Sequence, residues 1–355
     1  MREVVRDSPP GWAHSLRVVT VLKNSMVALR PARQRPALLL VSASPTAVTL
    51  AAPAKLNLFL EVLGRRSDGY HELATLMVAI DWCDTLEISS VAEGQRHLEC
   101  EPVGVVPAGQ ENLVWRAAEL LAERAGRREQ GWRMRLSKRV PSQAGLGGGS
   151  SDAAAALWGL QRLWKLALTD EELVAMGAAV GSDVPFFLVA PVGWCTGRGE
   201  VVAEESLACP LHFVVVCPPV GLATGRVYAA LQLPHAPRDG LEVRQALRRG
   251  EVSALGKHLF NRLQEPALEL EPQLGRLHRR LAQVAPFGAC LSGSGSALFA
   301  LCRSRTEAIH VAEKFLRQQP ADEPRSRVVV VQSLAPDRTC KEKNGGHHGS
   351  AHQAV

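Results

Sequence analysis

Residues 140–160 read VPSQAGLGGGSSDAAAALWGL, and the fold is decided there. Gly145, Gly147, Gly148 and Gly149 open backbone conformations closed to other residues and let a bulky ligand approach the main chain. Ser150, Ser151 and Asp152, beside the turn, are good helix caps, and the alanines that follow have the highest helix propensity. A loop therefore passes straight into a helix with Leu157, Leu160 and Trp164 on one side, which a Gly/Ser linker has no reason to do. The free N–H groups and positive dipole end of such a helix suit a polyphosphate. No Lys-Ser or Lys-Thr follows the glycines, which excludes a Walker A loop. The absence of both a Gly-x-Gly-x-x-Gly register and a His-Arg-Asp segment argues against a protein kinase.

A chain of 355 residues, 46% apolar, buries a sizeable core and predicts two domains. Its net charge of +6 sits at the ends: residues 1–46 carry +5 and residues 335–355 carry +1, so the body between is neutral. That gives no support to a nucleic-acid face. The cysteines at 83, 100, 195, 209, 217, 290, 302 and 340 form no Cys-x-x-Cys pair, which fits reduced thiols and a cytoplasmic protein. No apolar run is long enough for a membrane span.

Outward from the loop, the chain reads as an α+β protein. Residues 1–46, with Pro9, Pro10, Pro31, Pro36 and Pro45, are expected to be a poorly ordered extension. Arg30, Arg33 and Arg35 ahead of the apolar run 37–41 resemble a weak signal or transit segment, and a translation start at Met26 or later explains the same facts. From Ala47, alternation predicts a strand over 54–62 that puts Lys55 and Asn57 on one face. Alone, that segment also reads as an edge strand with a solvated lysine. Ser67 to His71 signal a turn that places Tyr70 and His71 on a loop. Strands are predicted over 73–80, 85–91 and 132–136, and helices from Asn112 to about Arg124 and from Thr169 to Val180. Asp183 stands alone between Gly181 and an apolar run. From 207 to 334 a second unit is expected, with strands at 212–217 and 327–333 and helices at 241–263, 273–284 and 306–317. A small-residue turn at 290–297 lies between short strands, and residues 335–355 read as an unstructured tail whose histidines bind metal at most adventitiously.

Pro53-Ala-Lys-Leu-Asn57, the glycine-rich segment 141–153 and Leu291-Ser-Gly-Ser-Gly-Ser-Ala297 together resemble the three motifs of the GHMP small-molecule kinases. Gly64-Arg-Arg, Asp68-Gly-Tyr-His-Glu72 and Gly181-Ser-Asp-Val-Pro-Phe-Phe187 narrow the resemblance to the branch that phosphorylates a cytidine-diphosphate erythritol in the non-mevalonate isoprenoid route. It covers about residues 47–334, and the Asp-Gly-Tyr-His segment discriminates it from the homoserine and mevalonate kinases. The implied architecture is α+β in two domains. An ATP-binding domain over 47–206 would resemble domain 2 of ribosomal protein S5, and a ferredoxin-like domain over 207–334 would close over the substrate.

The resemblance also implies roles. ATP with Mg2+ is the implied cofactor, its phosphates held by Pro141, Gly145, Leu146, Gly147, Gly148, Gly149, Ser150 and Ser151, with Ser151 near the metal. Asp183 matches the family's base for the substrate 2-hydroxyl. Lys55 matches the cation that keeps it ionised and stabilises the developing charge. Asn57 would hydrogen-bond that hydroxyl. His71 would bond the cytosine and Tyr70 would stack on it. Tyr228 is a candidate for the other face and reads equally as an ordinary helix aromatic. Gly293, Ser294 and Gly295 match the third motif. The implied partner is a small molecule carrying cytidine diphosphate, with no nucleic acid and no membrane, acted on by a monomer or weak homodimer.

Overall fold

The structure, a computed structural model, describes residues 20–21, 37–320 and 322–334. Its strands are β1 (Thr20–Val21), β2 (Leu39–Ala43), β3 (Ala47–Arg65), β4 (His71–Val91), β5 (Arg96–Glu101), β6 (Gly131–Ser137), β7 (Val192–Gly197), β8 (Val201–Glu204), β9 (His212–Cys217), β10 (Phe260–Asn261), β11 (Ala289–Leu291), β12 (Leu298–Cys302) and β13 (Arg327–Gln332). The helices are α1 (Leu113–Arg124), α2 (Gly148–Leu163), α3 (Asp170–Val180), α4 (Val184–Val189), α5 (Thr224–Ala230), α6 (Leu241–Arg249), α7 (Val252–Lys257), α8 (Gln264–Leu270), α9 (Pro272–Val284) and α10 (Arg305–Arg317). None is long and apolar enough to cross a membrane.

Two sheets result. In the larger one β10, β3, β4, β6 and β5 follow in order, β2 joins the β3 side, and β7 pairs with β4 and carries β8. In the smaller the order is β1, β13, β9, β12, β11. One core lies between the larger sheet and helices α1 to α4, around Leu50, Ile88, Trp132, Leu157 and Phe186. A second lies between the sheets, where Leu56, Leu58 and Ile80 meet Phe213, Phe299 and Val329. The third packs the smaller sheet against the helices of the second half through Leu277, Leu281 and Phe315. The middle of β3 is therefore buried on both faces, and its polar residues cannot be solvated.

An irregularity in the β3/β4 ladder between Pro53 and Ala54 determines which polar residues reach the site. Before it, Val48, Leu50 and Ala52 belong to the helix-side core; after it, Ala54, Leu56 and Leu58 belong to the core between the sheets. The odd-numbered residues Lys55 and Asn57 are thereby turned to the helix side, where α2 begins.

Several sequence expectations are corrected. Order does not start at Ala47: Ala37 and Leu38 are fully buried, and β2 pairs antiparallel with β3. The apolar run 37–41 is thus core and edge strand rather than a transit segment. Residues 20–21 pair in parallel with β13, and the tail 335–355 lies outside the described residues. Strands expected at 73–80 and 85–91 are one strand, β4. The helix expected over 241–263 is interrupted by Gly250 in the left-handed region at φ 70°, giving α6 and α7, and ends in β10. Helix α8 was not expected. The strands at 212–217 and 327–332 and helices α1, α3, α9 and α10 stand as read to within one residue.

Helix α2 lies so close to the sheet at Gly159 that a Cβ there would come 2.4 Å from Ile88 Cδ1 and 2.9 Å from Leu50 Cδ1. Gly159→Val should therefore destabilise the protein by about 1–3 kcal/mol through overpacking. Gly225→Ala, which faces open space in α5, should leave stability unchanged or slightly higher, and chemical unfolding of both variants checks the contrast.

Candidate active site

The glycine loop enters α2 through Gly147, whose left-handed backbone (φ 69°) forms the helix N-cap with no side-chain hydrogen bond. The expected caps Ser150, Ser151 and Asp152 instead lie inside the first turns, because the helix starts two residues earlier. Ser151 N–H already bonds the Gly147 carbonyl at 2.9 Å. A side-chain cap would consume the first N–H groups, so a glycine cap leaves them available to a ligand. Gly145, Gly147 and Ser150 line a cleft of about 920 Å3. Pro141, Leu146, Gly148 and Gly149 belong to the same loop and do not line it. Leu146 is buried, and its carbonyl takes the Lys55 N–H at 2.9 Å. Ser151 is fully buried with its hydroxyl unpartnered, so Ser150, and not Ser151, is the serine that faces the cleft.

Lys55 lies beneath this loop, only 4% exposed, with its Nζ 2.5 Å from Asn57 Oδ1 and 3.6 Å from Asp183 Oδ2. Asn57 is oriented in turn: its Nδ2 donates to Thr75 Oγ1 at 2.8 Å, and Thr75 donates to the Phe59 carbonyl at 2.6 Å. Asp183 precedes α4 and makes no side-chain cap bond there. Its carboxylate is 29% exposed and faces the cleft beside Ser182. The arrangement is a half-open carboxylate with a buried ammonium behind it, next to a helix N-terminus. It can accept a proton from a bound hydroxyl while positive groups meet phosphoryl charge.

The segment 291–297 closes the site from the second half of the chain. Ser292 Oγ donates to the Gly145 carbonyl at 2.9 Å, and Ala297 N–H donates to the Ala144 carbonyl at 3.0 Å. Asn57 N–H reaches Ser292 Oγ at 3.4 Å. Gly293, Ser294 and Gly295 line the cleft, with Ser294 Oγ 2.9 Å from Thr224 Oγ1.

Aromatic residues line another part of the cleft. The rings of His71 and Tyr228 stack at 4.8 Å with a 29° interplanar angle, and the Arg198 guanidinium lies over the Tyr70 ring at 4.8 Å. Tyr70 is 53% exposed on the loop, whereas His71 is the first residue of β4, paired with Arg65, rather than a loop residue. Asp68 accepts the Tyr70 N–H at 3.1 Å and pairs with Arg66, which also holds Glu72 at 2.7 Å, so the turn is stiffened by charge. Burial, assisted by Arg65, holds the His71 pKa below its ordinary value, which favours the neutral imidazole. Burial and the Asp183 charge push the Tyr228 hydroxyl up, so it stays protonated.

Comparison with known proteins agrees with this geometry. Residues 112–190 match the model of the GHMP kinases N terminal domain, and residues 243–321 that of the GHMP kinases C terminal. The 4-diphosphocytidyl-2-C-methyl-D-erythritol kinase of Shouchella clausii is 37% identical over 254 residues, 71% of this chain and 85% of that protein. That of Pelotomaculum thermopropionicum is 38% identical over 272 residues, 76% and 94%. The chain belongs to the GHMP kinase family. A crystal structure of a 4-(cytidine 5'-diphospho)-2C-methyl-D-erythritol kinase, 37% identical, superposes with a TM-score of 0.65 over 80% of this chain and 98% of that one. Homoserine kinase from Cytophaga hutchinsonii reaches 0.67 over 84% and 98% at 17% identity. The fold is thus common to several GHMP kinases, and side chains rather than backbone distinguish them.

Beneath the loop of this GHMP kinase lies a buried ionic cluster that the motif reading missed. Lys138 Nζ donates to Asp84 Oδ2 at 2.5 Å and to Asp152 Oδ2 at 2.7 Å. Asp84 Oδ1 also accepts the N–H groups of Arg139 at 2.5 Å and Val140 at 2.8 Å. These bonds tie β4, the approach to the loop and the first turn of α2 together. Only the Asp in Gly-Ser-Ser-Asp hinted at it, and its partners lie 14 and 68 residues back along the chain. Burial raises the Asp152 pKa to about 8, the Asp84 charge adding to it and Lys138 opposing it. An acid whose folded pKa is raised contributes stability below its unfolded pKa, about 3.9, and loses it as pH rises through 8. Asp152→Asn abolishes that titration. Relative to the parent protein, its unfolding free energy in urea should therefore increase steadily between about pH 4 and pH 8; a pH-independent difference would mean Asp152 titrates normally.

Proposed function

We propose that this GHMP kinase transfers the terminal phosphoryl group of ATP to the 2-hydroxyl of 4-diphosphocytidyl-2-C-methyl-D-erythritol. One observation carries the proposal: a single cleft holds the uncapped helix N-terminus with the Lys55–Asp183 pair and also the Tyr70, His71 and Tyr228 group. Phosphoryl transfer needs positioned charge more than covalent help from the protein. Asp183 takes the hydroxyl proton as the substrate oxygen attacks, while Asn57 orients that oxygen. Lys55 lies close enough to both to stabilise negative charge as it develops. The N–H groups of the glycine loop and the α2 N-terminus hold the nucleotide phosphates.

The residues present suit Mg2+ carried in with ATP. Ser150 offers a hydroxyl and Asp183 a carboxylate in the cleft, and a magnesium ion in such a site takes its other ligands from phosphates and water. Its role there is to neutralise charge shared between phosphates.

Cytosine has a π-face and a polar edge, which suit Tyr70 with Tyr228 and the neutral imidazole of His71 respectively. Homoserine and mevalonate offer neither feature. Similarity to the curated relatives over most of their length supports the same substrate. The free thiols of Cys83, Cys195, Cys217, Cys290 and Cys302 support a reducing, cytoplasmic setting.

Two substitutions test the division of labour. Asp183→Asn should lower kcat for the cytidine substrate by about two powers of ten or more with little change in ATP affinity. Near-normal turnover in the folded variant would remove Asp183 from the role of base. His71→Ala should raise KM for the cytidine substrate by a factor corresponding to about 1–3 kcal/mol, with a smaller effect on ATP. Weakened ATP with unchanged cytidine binding would mean that adenine occupies this part of the cleft.

A further inference from the structure

Asn261, a buried residue of β10 outside every motif considered above, makes three hydrogen bonds that join the two halves of the site. Its Nδ2 donates to the carbonyls of Leu291 at 2.8 Å and Gly293 at 2.7 Å, and its Oδ1 accepts the Leu263 N–H at 2.9 Å. Both amide hydrogens and the carbonyl are thus engaged, an orientation only an amide can satisfy. The backbone of the same segment is fixed to β3: Asn261 pairs with Leu60, Arg262 N–H donates to the Leu60 carbonyl at 2.8 Å, and the Arg262 guanidinium holds buried Glu61 at 2.7 Å. β3 is also the strand that carries Lys55 and Asn57.

The segment held by Asn261 touches the site. A Cβ built on Gly293 would lie 3.3 Å from Lys55 Nζ and 3.2 Å from the Gly145 carbonyl oxygen, so this backbone packs directly against the ammonium and the glycine loop. The Asn261 amide is the side-chain link that fixes the distance between Gly293 and β3.

We infer that Asn261 is a positioning residue for phosphoryl transfer: by gripping the Leu291 and Gly293 carbonyls it holds the third loop in register with Lys55 on β3. The inference rests on the reading of Lys55 and Asp183 as the reacting pair. Misplacing that geometry by about 1 Å is enough to slow a reaction by up to about a hundredfold. A residue that only stabilised the fold would reduce the amount of active protein without changing the rate per active site.

The experiment compares Asn261→Asp, which keeps the shape and loses both donors, with Asn261→Ser, which is smaller and uncharged. Each is assayed with ATP and 4-diphosphocytidyl-2-C-methyl-D-erythritol, with rates normalised to the concentration of sites that bind a fluorescent ATP analogue. The expected result is a fall in kcat of about tenfold or more in both variants, with KM for ATP within about threefold of the parent protein. A normalised kcat within about twofold of the parent protein in whichever variant folds overturns the inference, even if its melting temperature drops. So does an equal loss confined to KM for ATP. If the parent protein itself does not turn over the cytidine substrate, the functional reading fails instead, and the two failures are told apart by that control.

Discussion

The structure depends on a contact in which no side chain can intervene. A Cβ on Gly145 would stand 2.0 Å from the Ser292 carbonyl oxygen and 3.1 Å from the Gly295 nitrogen, so the glycine loop and the third loop meet backbone to backbone. At the next glycine, a Cβ on Gly147 would come 2.9 Å from Lys55 Cγ and 3.1 Å from Phe187 Cζ. Three distant segments converge there, and the left-handed backbone at Gly145 and Gly147 is what allows it. The same glycines leave the helix end without a side-chain cap, so close packing and ligand access have one origin.

Buried charge holds these segments in place from below. Lys138 with Asp84 and Asp152 ties the loop's approach to β4 and α2, while Glu61 with Arg262 ties β3 to β10. Burying such groups is unfavourable unless each is paired and hydrogen-bonded, and Asp84 and Glu61 also accept backbone N–H groups. Removing one partner would leave an uncompensated charge in the interior. These pairs therefore specify a single arrangement of the elements around the cleft more than they add net stability.

Much of the site was legible because its chemistry is local. Period-two alternation put Lys55 and Asn57 on one strand face, and they are hydrogen-bonded to each other. Thr169 with Glu172 closes a capping box, as their spacing required. Glycines followed by alanines announced the turn into α2. Where local signals misled, a long-range force had taken over. The apolar run 37–41 looked like a leader because its partner, β3, begins only at Ala47. Ser150 and Asp152 looked like caps, yet Gly147 turns the chain first and Asp152 is drawn into an ion cluster. His71 looked like a loop residue, and β-pairing with Arg65 claims it.

The sequence by itself determined the elements, the glycine loop, the isolated carboxylate at Asp183 and the family resemblance, because each depends on residues within about ten positions of one another. Tertiary structure alone decided which face of β3 Lys55 occupies, since the irregularity at Pro53 reverses the sidedness of the strand. It alone chose Ser150 over Ser151 as the cleft serine, stacked Tyr228 on His71 across 157 residues, and brought Asn261 to the third loop. The reason is physical: periodicity fixes the direction of a side chain relative to its own element, whereas what that direction meets is set by how the sheets and helices bury one another.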